Sequence, residues 1–448
     1  MRDLLLDAAT RASRYLDALP ERASAPDPAA IERLGELDIK LPEEPTPDDA
    51  VLAELDSHSG ATMAMAGPRF FGFVIGGALP ATVAANWLAT TWDQNTAFAS
   101  VTPLTARLET VAARWLIDLL GLPEETGVGF VTGATMANMS CLVAARHAVL
   151  QAAGWDVEAE GMFGAPPVTV IVGDEAHPSL MKALGLAGFG RNRVTRVPVD
   201  DQGRMRADAF PEVSGPTIVC LQAGNVNTGA FDPAEAIIPR AKTARAWVHV
   251  DGAFGLWAAA ALSRRHLMAG YDAADSWATD AHKYLNTPYD CGLAFVRDVH
   301  TLRAAMSVSA AYLPSAPTGD PDLTPELSRR ARGVEVWAAL RSLGRSGVAE
   351  LVERTCRHAR RFAAGLSVAG FSILNDVVLN QTLVSFGDDT TTRRVISAIQ
   401  QEGTLWAGVT VWHGQTAMRI SLSNWSTTDA DVERSIETII RVAREQSR

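Results

Sequence analysis

Short apolar runs alternate with helical segments through the middle of the chain. Each run is rich in β-branched residues and stops at small or polar residues, as buried strands of a parallel sheet do. The runs lie at 127–131, 168–172, 217–222, 247–250 and 292–296. Strands that alternate with helices predict an α/β fold built on a largely parallel sheet.

The chain begins with a different pattern. Apolar residues recur at helical spacing from Leu4 to Leu19, which predicts an amphipathic first helix that ends at Pro20. The segment 24–49 is rich in proline and predicts an extended arm. This helix and arm make up the first expected unit, residues 1–66.

Two further units are expected after residue 66. Residues 67–320 contain the predicted sheet and form a large domain. Its last part, 310–321, is rich in Gly and Pro and has no periodicity, which predicts a mobile lid. Residues 321–448 contain further amphipathic helices and strands, and predict a small C-terminal α/β domain.

Composition narrows the class of protein. At 448 residues the chain is too long for one compact core, and its 47% hydrophobic and 20% charged residues are ordinary for a globular protein. A net charge of −11 argues against nucleic acid or an anionic membrane as a partner. Four scattered cysteines predict reduced thiols, no metal site and a cytoplasmic protein.

One acid and one lysine suggest the chemistry. Asp251 ends the predicted strand 247–250, and parallel strands deliver such side chains to the sheet edge where ligands bind. Lys283 lies at a strand–strand connection among aromatic residues, where a lysine can lose its proton and act as a nucleophile. Pyridoxal 5'-phosphate (PLP) chemistry needs both groups: a lysine that forms a Schiff base, and an acid that keeps the ring nitrogen protonated.

The flanks of these two residues carry a family resemblance. HVDGAFG around Asp251 and TDAHKYLNTPYDCGLAFVRD around Lys283 resemble the signature of the group II PLP-dependent amino acid decarboxylases. The similarity extends over most of the chain. It implies the PLP-dependent transferase fold, which is aspartate aminotransferase-like, and a homodimer with shared active sites. In the family the N-terminal part wraps the partner subunit, whereas the sequence alone leaves open that it packs on its own subunit.

The resemblance also implies a set of site residues. His177 is expected to stack on the cofactor ring, and Tyr312 on the lid to protonate the product carbon. The turn and helix start at 133–135 match the family's phosphate loop, and helix N-termini bind such anions. The residues expected to bind the cofactor are Lys283, Asp251, Ala253, His177, Gly133, Ala134, Thr135, Asn225 and His282. Asn227 is an alternative to Asn225, and Asn138 matches a recurring family residue whose simpler role is helix packing.

Substrate contacts are expected from Phe71, Phe73 and Arg419. The family's histidine before the aromatic pair is Gly67 here, and a polar residue that follows that pair is replaced within 74–76. Aromatic side chains near the site favour an aromatic or apolar amino acid, and no basic residue stands out as a receptor for an acidic side chain.

The leading interpretation is a PLP-dependent decarboxylase that converts an L-amino acid to its amine and CO₂. In the family, tyrosine at the position of Tyr312 accompanies decarboxylation and phenylalanine accompanies aldehyde formation. The first alternative is another PLP reaction: transamination, retro-aldol cleavage or oxidative deamination. Arg419 favours transamination, because related aminotransferases clamp the substrate carboxylate with an arginine there. The second alternative is a non-catalytic binding or regulatory subunit.

Overall fold

The computed structural model describes residues 1–96, 98–307 and 321–446, and every element named here lies in those ranges. The helices are α1 (Arg2–Ala18), α2 (Pro28–Glu32), α3 (Asp48–Ser57), α4 (Pro80–Trp92), α5 (Pro103–Leu120), α6 (Ala134–Ala152), α7 (Val157–Glu160), α8 (Pro178–Leu186), α9 (Ala234–Thr243), α10 (Val299–Met306), α11 (Gly333–Val368), α12 (Asp389–Glu402) and α13 (Asp429–Gln446). The strands are β1 (Gly127–Val131), β2 (Thr169–Gly173), β3 (Thr195–Val197), β4 (Thr217–Gln222), β5 (Trp247–Asp251), β6 (Ser276–Asp280), β7 (Gly292–Val296), β8 (Ser372–Ile373), β9 (Gln381–Ser385), β10 (Gly408–Trp412) and β11 (Gln415–Ser421).

The described residues form a seven-stranded sheet of order β1-β7-β6-β5-β4-β2-β3. Strand β7 runs antiparallel to both neighbours, and the other strands run parallel to one another. The predicted strands and the largely parallel sheet are therefore confirmed. Strand β3 was not predicted, because its three residues are too few to form a recognisable apolar run.

The large sheet is buried on both faces. Along β4 and β5, Val219, Leu221 and Val250 belong to one apolar cluster, whereas Ile218 and Trp247 belong to another. Successive side chains of a strand point to opposite faces, so the two clusters cover the two faces. Burial on both sides explains why these strands read as continuous apolar runs.

A second, antiparallel sheet of order β10-β11-β9-β8 follows later in the chain. Helix α11 joins the two units. Its residues up to Cys356 belong to the core of the large sheet, and its residues from Ala359 belong to the core of the small one. The division between the cores thus falls inside α11, later than the boundary predicted at residue 320.

Two helices of the N-terminal segment lie at the surface of the chain. Within the described part of the protein, α1 and α3 bury none of their residues. The segment 24–49 is not wholly extended, because Asp27 caps a short helix that begins with Pro28. Across the ranges that the structure describes, no helix is both long and apolar enough to cross a bilayer.

Candidate active site

Four ionisable side chains follow parallel strands at one edge of the large sheet. Asp251 ends β5, Asp280 ends β6, and Lys283 follows in the turn that leads to β7. His177 follows β2. Because the carboxyl ends of parallel strands meet at one edge, the topology brings these residues together, at the edge where open α/β sheets bind ligands.

The carboxylate of Asp251 is buried and receives two neutral donors. Asn138 Nδ2 donates to its Oδ2 at 3.2 Å, and the backbone N–H of Ala253 donates to its Oδ1 at 3.3 Å. Burial raises the pKa of Asp251, and the charges of His177 and Lys283 and the two donated hydrogen bonds act in the opposite direction. Ala253, which was predicted to bind the cofactor, contacts Asp251 through its backbone, and its contact with the cofactor stays a prediction.

The amine of Lys283 is paired with an acid that sequence reasoning overlooked. Lys283 Nζ lies 3.0 Å from Asp280 Oδ2 and 6.0 Å from the ring centre of Phe254. Among the described residues, the other oxygen of Asp280 has no hydrogen-bond partner although it is buried. A buried acceptor without a donor is rare and points to a ligand or a moving group at that atom. Asp280, like Asp251, ends a buried strand, but β6 contains Ser and Thr and is not an apolar run.

The segment 74–76, which follows Phe71 and Phe73, lies directly against the turn between β6 and β7 that contains Lys283, called the lysine turn below. A Cβ added to Gly76 would lie 1.9 Å from the carbonyl oxygen of Lys283. No side chain fits at Gly76 without moving the backbone. Asn286 ties the same turn to the second sheet, donating from Nδ2 to the carbonyl of Ser423 at 3.0 Å.

His177 is held in one orientation by the start of α8. Its Nδ1 accepts from the backbone N–H of Ser179 at 3.2 Å and lies 2.7 Å from the Ser179 hydroxyl. A neutral imidazole that accepts at Nδ1 carries its proton on Nε2. Burial lowers the pKa of His177, and the charges of Asp251, Lys283 and Arg419 also act on it. One small cavity is lined by both His177 and Asp251.

The predicted phosphate loop lies beside the lysine turn. Helix α6 begins at Ala134, and its first internal bond is from the N–H of Ala137 to the carbonyl of Gly133. The amides of the first turn, at Ala134, Thr135 and Met136, therefore have no partner within the helix and can bind an anion. A Cβ added to Gly133 would lie 3.3 Å from the His282 ring and 3.6 Å from Asp280.

His282 is fixed from both sides. Its Nδ1 accepts from the N–H of Cys291 at 3.1 Å, and its ring stacks on Tyr289 with 4.2 Å between ring centres. Its Nε2 lies 3.6 Å from Asp280 Oδ1, and burial lowers its pKa. His282 therefore lies between the phosphate loop and the acid that pairs with Lys283.

The two asparagines after β4 differ in what they contact. Asn225 Oδ1 accepts from the N–H groups of Asn227 and Thr228, so this side chain stabilises its own turn. Asn227 Oδ1 accepts from Thr410 Oγ1 at 2.9 Å and from Arg419 Nη1 at 3.4 Å. Arg419 is largely desolvated, which lowers its pKa. The alternative residue Asn227, and not Asn225, thus reaches the predicted substrate arginine.

The two phenylalanines expected to contact substrate lie in different environments. Phe71 is 1% exposed and packs edge to face on Phe362 in the core of the small sheet. Its predicted contact with substrate is not supported by this position. Phe73 is 58% exposed, has a φ of 53°, and stacks on Trp406 with 5.2 Å between ring centres. Of the two rings, Phe73 is the one available to a ligand.

Tyr312 and the predicted lid lie outside the described residues, so their roles stay predictions. Asn138, for which helix packing was the simpler interpretation, instead donates a hydrogen bond to Asp251.

Comparison with known proteins identifies the family. The profile described as "Pyridoxal-dependent decarboxylase conserved domain" matches residues 30–387. Tryptophan decarboxylase 1 of Oryza sativa subsp. japonica is 30% identical over 356 residues, which cover 73% of this chain and 68% of the relative. Acidic amino acid decarboxylase GADL1 of Bos taurus is 27% identical over 352 residues, which cover 74% of this chain and 66% of the relative.

Solved structures share the fold at lower identity. Oryza sativa TDC with PLP and tryptamine superposes with a TM-score of 0.90 at 24% identity, and covers 99% of this chain and 97% of that one. Mouse CSAD superposes with a TM-score of 0.90 at 20% identity, with 99% and 98% covered. These likenesses confirm the predicted PLP-dependent transferase fold.

The groups at the sheet edge fit the cofactor that this family uses. The buried carboxylate of Asp251 suits the ring nitrogen, and the amine of Lys283 suits the aldehyde. The imidazole of His177 suits the flat ring, and the amides at the start of α6 suit the phosphate. The chain therefore belongs to the pyridoxal-dependent decarboxylase family and is an enzyme whose cofactor is pyridoxal 5'-phosphate.

Proposed function

We propose that this enzyme removes the α-carboxylate of an L-amino acid as CO₂ and releases the amine, with aromatic or apolar side chains preferred. The observation that carries the proposal is the meeting of Asp251, His177, Lys283 and the loop at Gly133 at one edge of the sheet. When bound, PLP accepts the electron pair that the departing CO₂ leaves behind.

Each residue has a distinct task in the proposed reaction. Lys283 binds the aldehyde, and Asp251 accepts a hydrogen bond from the protonated ring nitrogen. His177 keeps its ring neutral and presents Nε2–H, so it can orient a flat ring by stacking without adding charge. The amides at 134–136 bind the phosphate. Tyr312 is proposed to donate the proton that completes the amine.

The preference for an aromatic or apolar substrate rests on two observations. Phe73 presents an exposed ring, and the segment that carries it reaches the lysine turn at Gly76. A relative at 30% identity is named a tryptophan decarboxylase, and one of Bacillus atrophaeus at 27% identity is named an aromatic-L-amino-acid decarboxylase. Relatives named for acidic amino acids make the opposite preference the main competitor.

A panel of L-amino acids tests reaction and substrate together. The enzyme loaded with PLP is incubated with each amino acid, and CO₂, amine, keto acid and aldehyde are measured. We expect CO₂ and amine in equal amounts, with the highest kcat/KM for aromatic substrates. Keto acid without CO₂ would overturn the proposed reaction, and CO₂ with aldehyde would indicate oxidative deamination. A highest kcat/KM for glutamate or aspartate would overturn the substrate preference.

Arg419 favours a second candidate, transamination. Its guanidinium is largely desolvated and its charge acts on His177, so it can clamp a carboxylate at the site. If it binds the α-carboxylate, Arg419→Met raises KM about tenfold or more for every substrate, since bonds to charged groups contribute roughly 1.5–3 kcal/mol. If it binds a side-chain carboxylate, only acidic substrates lose affinity. Arg361→Met is the control, because Arg361 pairs with Glu433 at the surface.

We also propose a homodimer with shared active sites. Leu5, Leu6 and Leu16 of α1 and Leu55 of α3 are 44–71% exposed. Apolar side chains concentrated on helices that bury nothing within the described chain suit an interface with a second subunit. Light scattering on the purified protein tests this, and we expect twice the 47.8 kDa of one chain. A monomer at micromolar concentration would contradict it.

A further inference from the structure

A continuous row of buried polar side chains leads through the protein interior to Asp251. Trp247 Nε1 donates to Ser276 Oγ at 2.9 Å, and Ser276 Oγ lies 3.0 Å from His249 Nδ1. His249 Nε2 lies 2.9 Å from Asn138 Oδ1, and Asn138 Nδ2 donates to Asp251 at 3.2 Å. We call these five residues the relay.

The direction of every hydrogen bond in the relay is set by its two ends. An indole N–H can only donate, so Ser276 accepts from Trp247 and has its own hydrogen free for His249 Nδ1. An ionised carboxylate can only accept, so Asn138 turns its Nδ2 to Asp251 and its Oδ1 to His249. His249 then carries its proton on Nε2. The indole N–H of Trp247 and the carboxylate of Asp251 are therefore both consistent with a single set of hydrogen-bond directions, with the His249 proton on Nε2.

The relay is neutral between its ends. Burial lowers the pKa of His249 to about 3, so this imidazole is uncharged at neutral pH. Asp251 therefore receives a donor from the protein interior without receiving a counter-charge. Its negative charge stays available to a cationic partner on the cavity side.

Neither packing nor backbone pairing explains these residues. Ser276, His249 and Asn138 are each 0% exposed, and burying polar groups costs free energy that apolar side chains would avoid. Strands β5 and β6 pair through their backbones whatever those side chains are. A fully satisfied row of polar groups that ends on one carboxylate is what orienting that carboxylate requires.

We propose that Asn138 and His249 are positioning residues that hold Asp251 ionised and aimed at the ring nitrogen of PLP. This inference rests on the proposed role of Asp251. Asn138 supplies the donor, and His249 fixes which end of the Asn138 amide faces the acid.

The test compares two ligands that differ at the atom in question. Binding of PLP to the apoenzyme is measured beside binding of its 1-deaza analogue, in which a CH group replaces the ring nitrogen. The wild type should prefer PLP, and Asp251→Asn should abolish that preference. If the wild type binds PLP no better than the analogue, the proposed role of Asp251 fails, and the inference with it.

The relay variants are then measured in the same assay. Asn138→Leu should weaken PLP binding about tenfold, the scale of a lost bond to a charged group, and change analogue binding less than about twofold. His249→Leu should act in the same way, whereas His249→Gln, which keeps an amide donor, should restore most of the affinity for PLP. Ser140→Ala is the control, because this buried hydroxyl lies on the same helix and donates to the carbonyl of Met136, one turn earlier in that helix.

The outcomes separate positioning from general damage. Equal loss of affinity for PLP and the analogue in Asn138→Leu would show a structural role and overturn the inference. Unchanged affinity for PLP in a folded Asn138→Leu protein, with Asp251→Asn behaving as expected, would overturn it too. Should Asn138→Leu fail to fold, the two His249 variants decide. The inference then requires a selective loss of affinity for PLP in His249→Leu and near-normal PLP binding in His249→Gln.

Discussion

Asp251 and Asp280 end neighbouring parallel strands of one sheet, and the structure gives them different surroundings. Both carboxylates are buried, with 3% and 2% of each residue exposed. Within the part of the chain that the structure describes, Asp251 receives hydrogen bonds from two neutral donors, Asn138 and Ala253. Asp280 faces the ammonium of Lys283 at 3.0 Å, and its second oxygen has no hydrogen-bond partner within the described residues.

The difference shows how the same position, the end of a buried strand, yields two kinds of acid. Neutral donors stabilise a carboxylate and leave its charge free to act on a ligand, as proposed for Asp251. An adjacent ammonium neutralises a carboxylate, so Asp280 can act on a ligand only after the amine of Lys283 is bound elsewhere. The ion pair between Asp280 and Lys283 is thus suited to the state before the cofactor is attached.

Among the substitutions at Lys283, Asp251 and Asp280, removal of the Lys283 amine should lower activity most. We expect Lys283→Ala to lower kcat by about 10³-fold or more, since a covalent catalyst is lost, and to abolish covalent attachment of PLP. Borohydride reduction followed by mass measurement checks the attachment. Lys242→Ala is the control, because Lys242 pairs with Asp275 away from the site. Reduction that still traps PLP on the Lys283→Ala protein would assign the attachment to another lysine.

Neutralising Asp251 should come next. Asp251→Asn keeps the size of the side chain but loses the charge that holds the ring nitrogen protonated, so we expect kcat to fall about 10²-fold or more. Steady-state kinetics and the absorbance of bound PLP measure the effect. A comparable fall in kcat for Asp280→Asn would mean that the two acids have the same role in the reaction.

Asp280→Asn should have a smaller effect on kcat than Asp251→Asn. It should increase the rate at which PLP attaches to Lys283. Asp280→Asn breaks the ion pair that holds the amine of Lys283, so we expect PLP to attach about three- to tenfold faster. Stopped-flow absorbance on the apoenzyme measures the rate. Slower attachment would show that Asp280 orients the amine instead.

The relay behind Asp251 should also make stability depend on pH. The folded-state pKa of His249, about 3, lies below its ordinary 6.5, so the unfolded chain binds a proton that the folded protein excludes. Stability from this residue is complete above pH 6.5 and is lost as pH falls toward 3. Between pH 7 and pH 5 the loss is about 2 kcal/mol, and His249→Gln should reduce the pH dependence by that amount. Urea unfolding at both pH values measures it, and an unchanged dependence would contradict a buried neutral His249.

The sheet and the principal pair were predictable because they leave local signals. An apolar run that ends in an acid marks the end of β5 at Asp251. An apolar run that is followed by small residues and a helix marks the turn at Gly133. Asp280 also ends a strand, but β6 contains Ser and Thr and is not an apolar run, so Asp280 became informative only beside Lys283. Nothing local to Asn138 or His249 indicates that they contact each other, since their side chains meet only when α6 packs on β5.

The sequence by itself determined the α/β class, most strands of the large sheet and the family, and it predicted the two residues expected to be most central to its cofactor. These follow from patterns within a few residues, and the physics of burial and strand ends acts on each pattern separately. Only the tertiary structure decided that Phe71 is core while Phe73 is exposed, that Asn227 and not Asn225 meets Arg419, and which acid pairs with Lys283. Such pairings join residues far apart in the chain, and their distances are set by how helices and strands pack.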